Sequence, residues 1–318
     1  MRQTTDMIHT CFVLFPKFQM LAYVLATETM RLANKSAGRE LFTWEIRTAT
    51  TETVAASNGA QISPSRTDWE GGRDCALILI CAGYEPLAIR PRGLKSLMYQ
   101  ANQAGAVLGG LDTGAIILAK YGYLTGYQVA LHYEAIAGFT EEWPEVDIRE
   151  NIYCLDRQRL TAVGGTATAD AILAWISQTI SLELATIISN DMAHGTIRSG
   201  NVLQRIQCTE DPILQQMKDI MNCNLSDPLP ISELALQLGL SLKQLRLRCK
   251  KGFHTSPSDY YLLLRLDHAL NFLRNTEIKI TNIAISCGFS SLANFSRSFK
   301  KVYKTTPRSI RAEQGQKG

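Results

Sequence analysis

The chain has 318 residues, of which 46% are hydrophobic and 19% charged, with a net charge of +4. This is the composition of a globular protein of about two domains with proper cores. Its eight cysteines, Cys11, Cys75, Cys81, Cys154, Cys208, Cys223, Cys249 and Cys287, contain no CxxC and no local Cys/His grouping, which excludes a disulfide framework or a zinc ribbon; no bound metal or cofactor is expected.

No apolar run approaches about 18 residues and no segment has a signal-peptide layout, so a cytoplasmic chain without membrane contact is expected, with access to the nucleoid. Along the chain, Met7 to Pro16 reads as a buried strand and Phe18 to Gly38 as a helix ended by its glycine. Residues 41–52 and 54–62 alternate like strands. Cys75 to Gly83 is a near-continuous apolar run of the kind found in a central parallel strand. A helix over 93–105, a strand over 106–112 and a helix over 113–122 follow. Residues 153–165 suggest a hairpin around Asp156 and Arg157, and 168–192 a covering helix or helix pair. Strand and helix alternate throughout, which predicts a three-layer α/β domain with a mainly parallel, flavodoxin-like sheet. Polar residues from His194 to Gln207 look like a connection. The expected layout is an α/β domain over 1–195, a linker over 196–210 and a second domain over 211–318.

The informative spot in the first domain is Gly109 to Ala119. There a strand ends in a glycine-flanked turn and passes straight into a helix, the geometry of a nucleophile elbow. The elbow residue is Asp112. Two readings of it stand: a contact for the cationic end of a small metabolite, or an N-cap for the helix that starts at Thr113. His132 and Tyr133 line a pocket in the first reading and are structural in the second.

The second domain is built on a repeat. Ile231, Leu234, Ala235 and Leu238 form an apolar stripe, Gly239 supplies a turn, and Ser241 with Gln244 has capping-box spacing at the start of a basic helix. That helix carries Lys243, Arg246, Arg248, Lys250 and Lys251 on its solvent face. About fifty residues on, Ile280, Ile283, Ala284 and Cys287 precede Gly288. A second basic helix follows, with Leu292, Phe295, Phe299 and Val302 as its inward stripe. Its outer face holds Asn294, Ser296, Arg297, Lys300, Lys301 and Lys304. Two helices joined by a tight turn, the second basic, is the helix-turn-helix arrangement, which lays its second helix in the DNA major groove. Between the units, residues 256–275 form a helix opened by Pro257 and striped by Leu266, Ala269, Leu270 and Leu273. About 17 helical residues span roughly 25 Å, a spacer of the size needed to address groove segments roughly 34 Å apart. Charge follows this division: residues 208–318 hold 16 Lys and Arg against 9 Asp and Glu, while the rest of the chain is net acidic. A basic module beside a near-neutral one is the electrostatic footprint of a DNA-binding unit attached to a sensor.

These residues closely resemble the AraC/XylS family of transcription regulators. Its signature is matched by Ile280, Ile283, Ala284, Gly288, Phe289, Phe295, Arg297, Phe299, Lys300, Thr306 and Pro307, and the linker-helix pattern by residues 256–269. Departures are Cys249, where the family usually has Phe, His254 and Lys304, where it has Gly, and Leu247, often Arg. The elbow, with Glu28, Leu124 to Gly126, His132 and Gly164 to Ala167, is similar to the class I glutamine-amidotransferase-like superfamily and its PfpI branch. Joined, the two resemble the GlxA-like group of regulators. The resemblance implies a homodimer that binds a promoter site in double-stranded DNA, responds to a small-molecule effector, works with RNA polymerase and activates catabolic genes. It also implies ligand contacts from Glu28, Asp112, Thr113, His132 and Tyr133. DNA contacts are implied for Lys243, Gln244, Arg246, Leu247 and Lys250 and for Leu292, Ala293, Asn294, Ser296, Arg297, Lys300 and Lys301. In the enzymes of that superfamily the elbow residue is a cysteine. Asp112 replaces it and no cysteine lies beside it in sequence, so no catalytic residue is expected. The rival reading is an active amidotransferase-like hydrolase with a fused DNA-targeting domain, and a third is a chromosome-binding protein without a ligand.

Overall fold

The computed structural model describes residues 7–204 and 211–315, which fall into two compact units that meet in sequence near residue 204. The first unit opens with β1 (Ile8–Leu14), α1 (Met20–Ala37), β2 (Phe42–Thr48) and the short antiparallel pair β3 (Val54–Ala55) and β4 (Gln61–Ile62). It continues with β5 (Leu77–Ala82), α2 (Leu94–Gln103), β6 (Val107–Asp112), α3 (Gly114–Lys120), β7 (Gln128–Ala130), α4 (Tyr133–Glu142) and β8 (Asp147–Arg149). The hairpin β9 (Tyr153–Asp156) and β10 (Arg159–Ala162) and the helices α5 (Ala167–Thr179) and α6 (Leu182–Asp191) complete it.

Six strands form the main sheet in the order β2-β1-β5-β6-β10-β9, parallel except for the last pair. Central β5 explains the apolar run in the sequence, because both of its faces are covered. Leu77, Leu79 and Cys81 enter one core with Phe12 of β1 and residues of α1, α5 and α6. Ile78, Ile80 and Ala82 enter the other with residues of α2, α3 and α4. Each fully buried Leu or Ile contributes about 1.5–3 kcal/mol by leaving water, so this strand alone stabilises the unit substantially. The three-layer α/β architecture read from the sequence is therefore the observed one. The parallel pair β7–β8 and helix α4 were not legible.

The stretch expected to link the units is divided. Up to Gln204 it packs on the first unit: fully buried Asp170 holds the Arg198 backbone N–H at 2.7 Å and its guanidinium at 2.6 and 2.9 Å, and His194 Nε2 lies 2.8 Å away. Gln204 donates to the Leu131 carbonyl at 2.9 Å. The remainder of the expected linker, 205–210, lies outside the described residues.

The second unit consists of α7 (Pro212–Cys223), α8 (Ile231–Gln237), α9 (Leu242–Phe253), α10 (Pro257–Asn275), α11 (Ile280–Ser286), α12 (Leu292–Tyr303) and α13 (Pro307–Gly315). It has two cores, one per helix pair. α10 enters both, with Tyr261 in the first and Leu266, Ala269, Phe272 and Leu273 in the second. At 19 residues it spans about 28 Å. Polar bonds lock it at both ends of the repeat. Tyr261 donates to the Asn224 carbonyl at 2.7 Å. Arg265 donates to the carbonyls of Cys287 and Gly288 at 2.7 and 2.6 Å and lies over the Phe289 ring. The guanidinium thus caps the turn of the second helix pair with bonds a lysine could not reproduce.

Candidate functional site

β6 runs Val-Leu-Gly-Gly-Leu-Asp and turns into α3 within one residue. The close approach depends on Gly114: a Cβ there would stand 2.1 Å from the Ile80 carbonyl oxygen. Asp112 occupies the elbow at φ 58°, a conformation that non-glycine residues rarely adopt. It does not cap the following helix. Thr113 is the N-cap residue and no side chain caps it; the Thr113 hydroxyl is buried and donates to the Gly83 carbonyl at 2.5 Å. The Asp112 carboxylate instead receives the Gln19 amide at 3.3 Å, and the Gln19 carbonyl oxygen in turn accepts the Gly165 N–H. Burial, and then the nearby Glu134 carboxylate, push the Asp112 carboxyl up to about 7.

Other residues read from the sequence are distributed unevenly around this point. Glu28 is not brought to the elbow. It lies nine residues along α1 from Gln19, roughly 13 Å, and pairs on the surface with Arg31 at 2.7 Å. Gln19, one residue before α1, takes the place expected of it. His132 is the N-cap residue of α4, with its ring 4.5 Å from that of Tyr133. Tyr133 donates to the Glu134 carboxylate at 3.2 Å. Glu134 was missed because α4, whose first turn holds it, was not legible in the sequence. The elbow also has a cysteine neighbour that sequence spacing hid. Cys81 of β5 pairs in register with Leu111, and its thiol feels the Asp112 carboxylate. Burial holds that thiol far above its usual pKa, so it supplies no thiolate. A separate cavity of about 270 Å³ is lined by Phe15, Leu87, Arg90, Lys95, Lys120 and Tyr121. Its three cations disfavour a positive ligand, and it does not include Asp112.

In the second unit both turn glycines are left-handed, Gly239 at φ 66° and Gly288 at φ 70°. The capping box at α9 is complete: the Ser241 hydroxyl accepts the Gln244 N–H at 3.3 Å and the Gln244 side-chain oxygen accepts the Ser241 N–H at 2.8 Å. Gln244 is thereby held at the helix start. Lys243, Arg246, Leu247 and Lys250 are exposed along one side of α9, while Leu245 and Cys249 are buried. Leu247 is 62% exposed, so it does not close against α10. Arg248 leaves the expected basic face; it pairs at 2.6 Å with Asp211, which also accepts the Ile213 N–H at the start of α7. On α12 the buried stripe is narrower than its periodicity suggests. Phe295 and Phe299 are buried, whereas Leu292 and Val302 are 37% and 39% exposed. Ala293, Asn294, Arg297, Lys300 and Lys301 are exposed and Ser296 is half-buried. Arg297 donates to the Asn294 side-chain oxygen at 2.6 Å, which fixes two side chains suited to reading base edges. His254 and Lys304, which end α9 and α12, are left-handed at φ 56° and 59°.

A family model described as a helix-turn-helix domain matches residues 234–313. Over 311 residues the chain is 35% identical to the HTH-type transcriptional regulator GbdR of Pseudomonas aeruginosa, an alignment covering 96% of this chain and 84% of that one. Its fold is similar to the crystal structure of an AraC family transcriptional regulator from Pseudomonas putida, with a TM-score of 0.54 at 23% identity over 58% of this chain and 99% of that one. It is also similar to a ThiJ/PfpI family protein from Pseudomonas syringae, with a TM-score of 0.52 at 16% identity over 68% of this chain and 87% of the other.

Proposed function

From the premise that the chain belongs to the AraC-family transcriptional regulators of the GlxA-like type, we propose that the elbow of its α/β unit senses a small cationic metabolite. The chain is a helix-turn-helix DNA-binding regulator and not an enzyme. One observation carries the sensing proposal: the buried Asp112 carboxyl feels the Glu134 carboxylate and has Gln19 rather than a cation as its hydrogen-bond partner. A carboxyl raised first by burial and then by a like charge is stabilised most by a positive ligand, which favours its ionised form. An ammonium or guanidinium head is the fitting chemistry. In this reading Tyr133 and His132, next to Glu134 in the chain, offer the ligand aromatic faces, to which a cation is also attracted.

Because the ligand binds the ionised form, affinity for a cation should rise with pH. Calorimetry with arginine, lysine and choline is expected to give a dissociation constant that falls about tenfold per pH unit up to about pH 7 and then levels. In Asp112→Ala the same ligand should bind at least about tenfold more weakly. Undiminished binding by the variant would remove Asp112 from the site.

For the output, we assign base contacts to Lys243, Arg246 and Leu247 of α9 and to Leu292, Ala293, Asn294, Ser296 and Arg297 of α12. Phosphate contacts are assigned to Lys250, Lys300 and Lys301. Apart from half-buried Ser296, their exposure on the second helix of each pair supports this, as does α10, which joins both cores. Arg246→Ala should cost about 1–3 kcal/mol at one base position. A loss spread evenly over all duplexes in a binding selection would make it a phosphate contact instead. In this reading the regulator is a cytoplasmic, nucleoid-bound homodimer that activates catabolic genes through RNA polymerase. The effector acts by binding one arrangement of the protein better than another.

A further inference from the structure

At the amino end of the parallel strands, at the opposite end of the sheet from Asp112, three residues with metal-binding side chains converge, with Cys11 next to them. His9 and Cys11 are two apart on β1 and so share a face of the sheet. Glu45 of β2 is the register partner of Cys11. Cys75 lies just before β5, where the Ala76 N–H binds the His9 carbonyl at 2.8 Å. The ligand atoms of His9, Glu45 and Cys75 all lie within 4.8 Å of one another, with His9 Nε2 3.7 Å from Glu45 Oε2. Cys11 lies beside this group: it is paired with Glu45 across the two strands, and its thiol acts on both Cys75 and Glu45.

The surroundings are what make this more than a chance grouping. A metal-binding imidazole usually has its second nitrogen held by an outer partner, and a ligating carboxylate its second oxygen. Both features are present. His9 Nδ1 is 2.9 Å from the Thr43 hydroxyl, which leaves Nε2 turned to the cluster. Glu45 Oε1 accepts Arg47 at 2.6 Å, and that guanidinium, 1% exposed, is itself held by the carbonyls of Asp68 and Glu70 at 2.6 and 2.5 Å. Glu45 Oε2 is left facing His9. Arg66 reaches this oxygen from the surface at 3.4 Å, but its closer partner is Asp68 at 2.8 Å, so it can withdraw without losing its ion pair.

We propose that His9, Glu45 and Cys75 form a binding site for a zinc ion, with Cys11, which lies outside that 4.8 Å group, turning in as fourth ligand. Nitrogen, oxygen and sulfur donors in this ratio suit zinc, which takes four such ligands. Charge balances as well: one Zn²⁺ enters, the two thiols lose their protons to solvent, and the cluster keeps its net charge. The ion would tie edge strand β2 to β1 and to the start of β5, a structural role at the end of the sheet that the sensing elbow does not use.

Elemental analysis of full-length protein purified without chelator is expected to show close to one zinc per chain. After metal removal, Co²⁺ should bind with the intense visible bands of a tetrahedral site and the near-ultraviolet band of a thiolate ligand. Cys75→Ser and the milder, partly exposed His9→Gln should each lower cobalt affinity by about ten- to a hundredfold. Cys223→Ser, at an exposed cysteine of the second unit, should not. Absence of zinc together with absence of a cobalt spectrum in the reduced wild-type protein would overturn the site. So would a spectrum unaltered by either cluster substitution.

Discussion

Gly288→Ala is expected to destabilise the DNA-binding unit by about 3–5 kcal/mol and to abolish specific duplex binding, whereas Gly239→Ala should cost only about 1 kcal/mol. Both glycines occupy the same place in the repeat, and both have a left-handed backbone, at φ 70° and 66°. Backbone strain is therefore common to the two variants. Space separates them. A Cβ at Gly239 meets nothing within 4 Å, while one at Gly288 stands 2.7 Å from the Leu225 carbonyl oxygen and from two ring carbons of Pro228. A carbonyl and a proline ring cannot swing aside as a lysine tip can. Residues 225–228 also lead from α7 to α8, so moving them disturbs how the first helix pair is held. Urea denaturation of the two variants measures the difference, and equal losses would show that the contact at Gly288 carries no energy. The opposite sign is expected at His254 and Lys304. These left-handed residues end α9 and α12, and glycine at either should stabilise by about 0.5–1 kcal/mol.

Asp112→Asn is expected to make the ligand-free α/β unit more stable at pH 8 by about 2–3 kcal/mol and to leave it unchanged at pH 4. An unfolded aspartate titrates near 3.9, and the folded one is pushed up to about 7. Between those values the folded state binds the proton more tightly than the unfolded one. Stability therefore falls as pH rises through that window and is flat above it. A carboxyl held that far above its unfolded value disfavours the ionised folded state by about 4 kcal/mol at most, and partial solvent access reduces this. Asparagine tolerates the left-handed backbone as aspartate does and still accepts the Gln19 amide, so only ionisation is removed. In a unit of this size the gain amounts to roughly 5–10 °C in melting temperature at pH 8. Melting curves of the two proteins that stay parallel from pH 5 to pH 8 would mean that Asp112 is ionised throughout. A cationic effector should narrow the gap, because it stabilises the wild-type carboxylate and gains nothing from the amide.

Much of this was legible in the amino-acid order, and for local reasons. A helix or strand records its own burial in a period of 3.6 or 2 residues, so β5, α1 and the paired helices of the second unit could be read from the spacing of apolar side chains. The capping box at Ser241 and Gln244 and the turns at Gly239 and Gly288 are also contained within a few residues. Where the period misled, the cause is geometric. Leu292 and Val302 continue the stripe of Phe295 and Phe299, but they lie at the two ends of α12, beyond the neighbouring helices that bury its centre.

The sequence by itself determined the two kinds of domain, the doubled helix-turn-helix and the absence of a thiol at the elbow, since each is written in contiguous residues. Tertiary structure alone decided which side chains meet. Gln19 and not Glu28 reaches Asp112, across 93 residues. Glu134 supplies the second carboxylate and Cys81 lies beside the elbow. His9, Glu45 and Cys75 come together from three segments. The register of parallel strands makes these encounters, and parallel strands are joined by long crossovers, so residues that touch across such a sheet are far apart in the chain and leave no spacing to read.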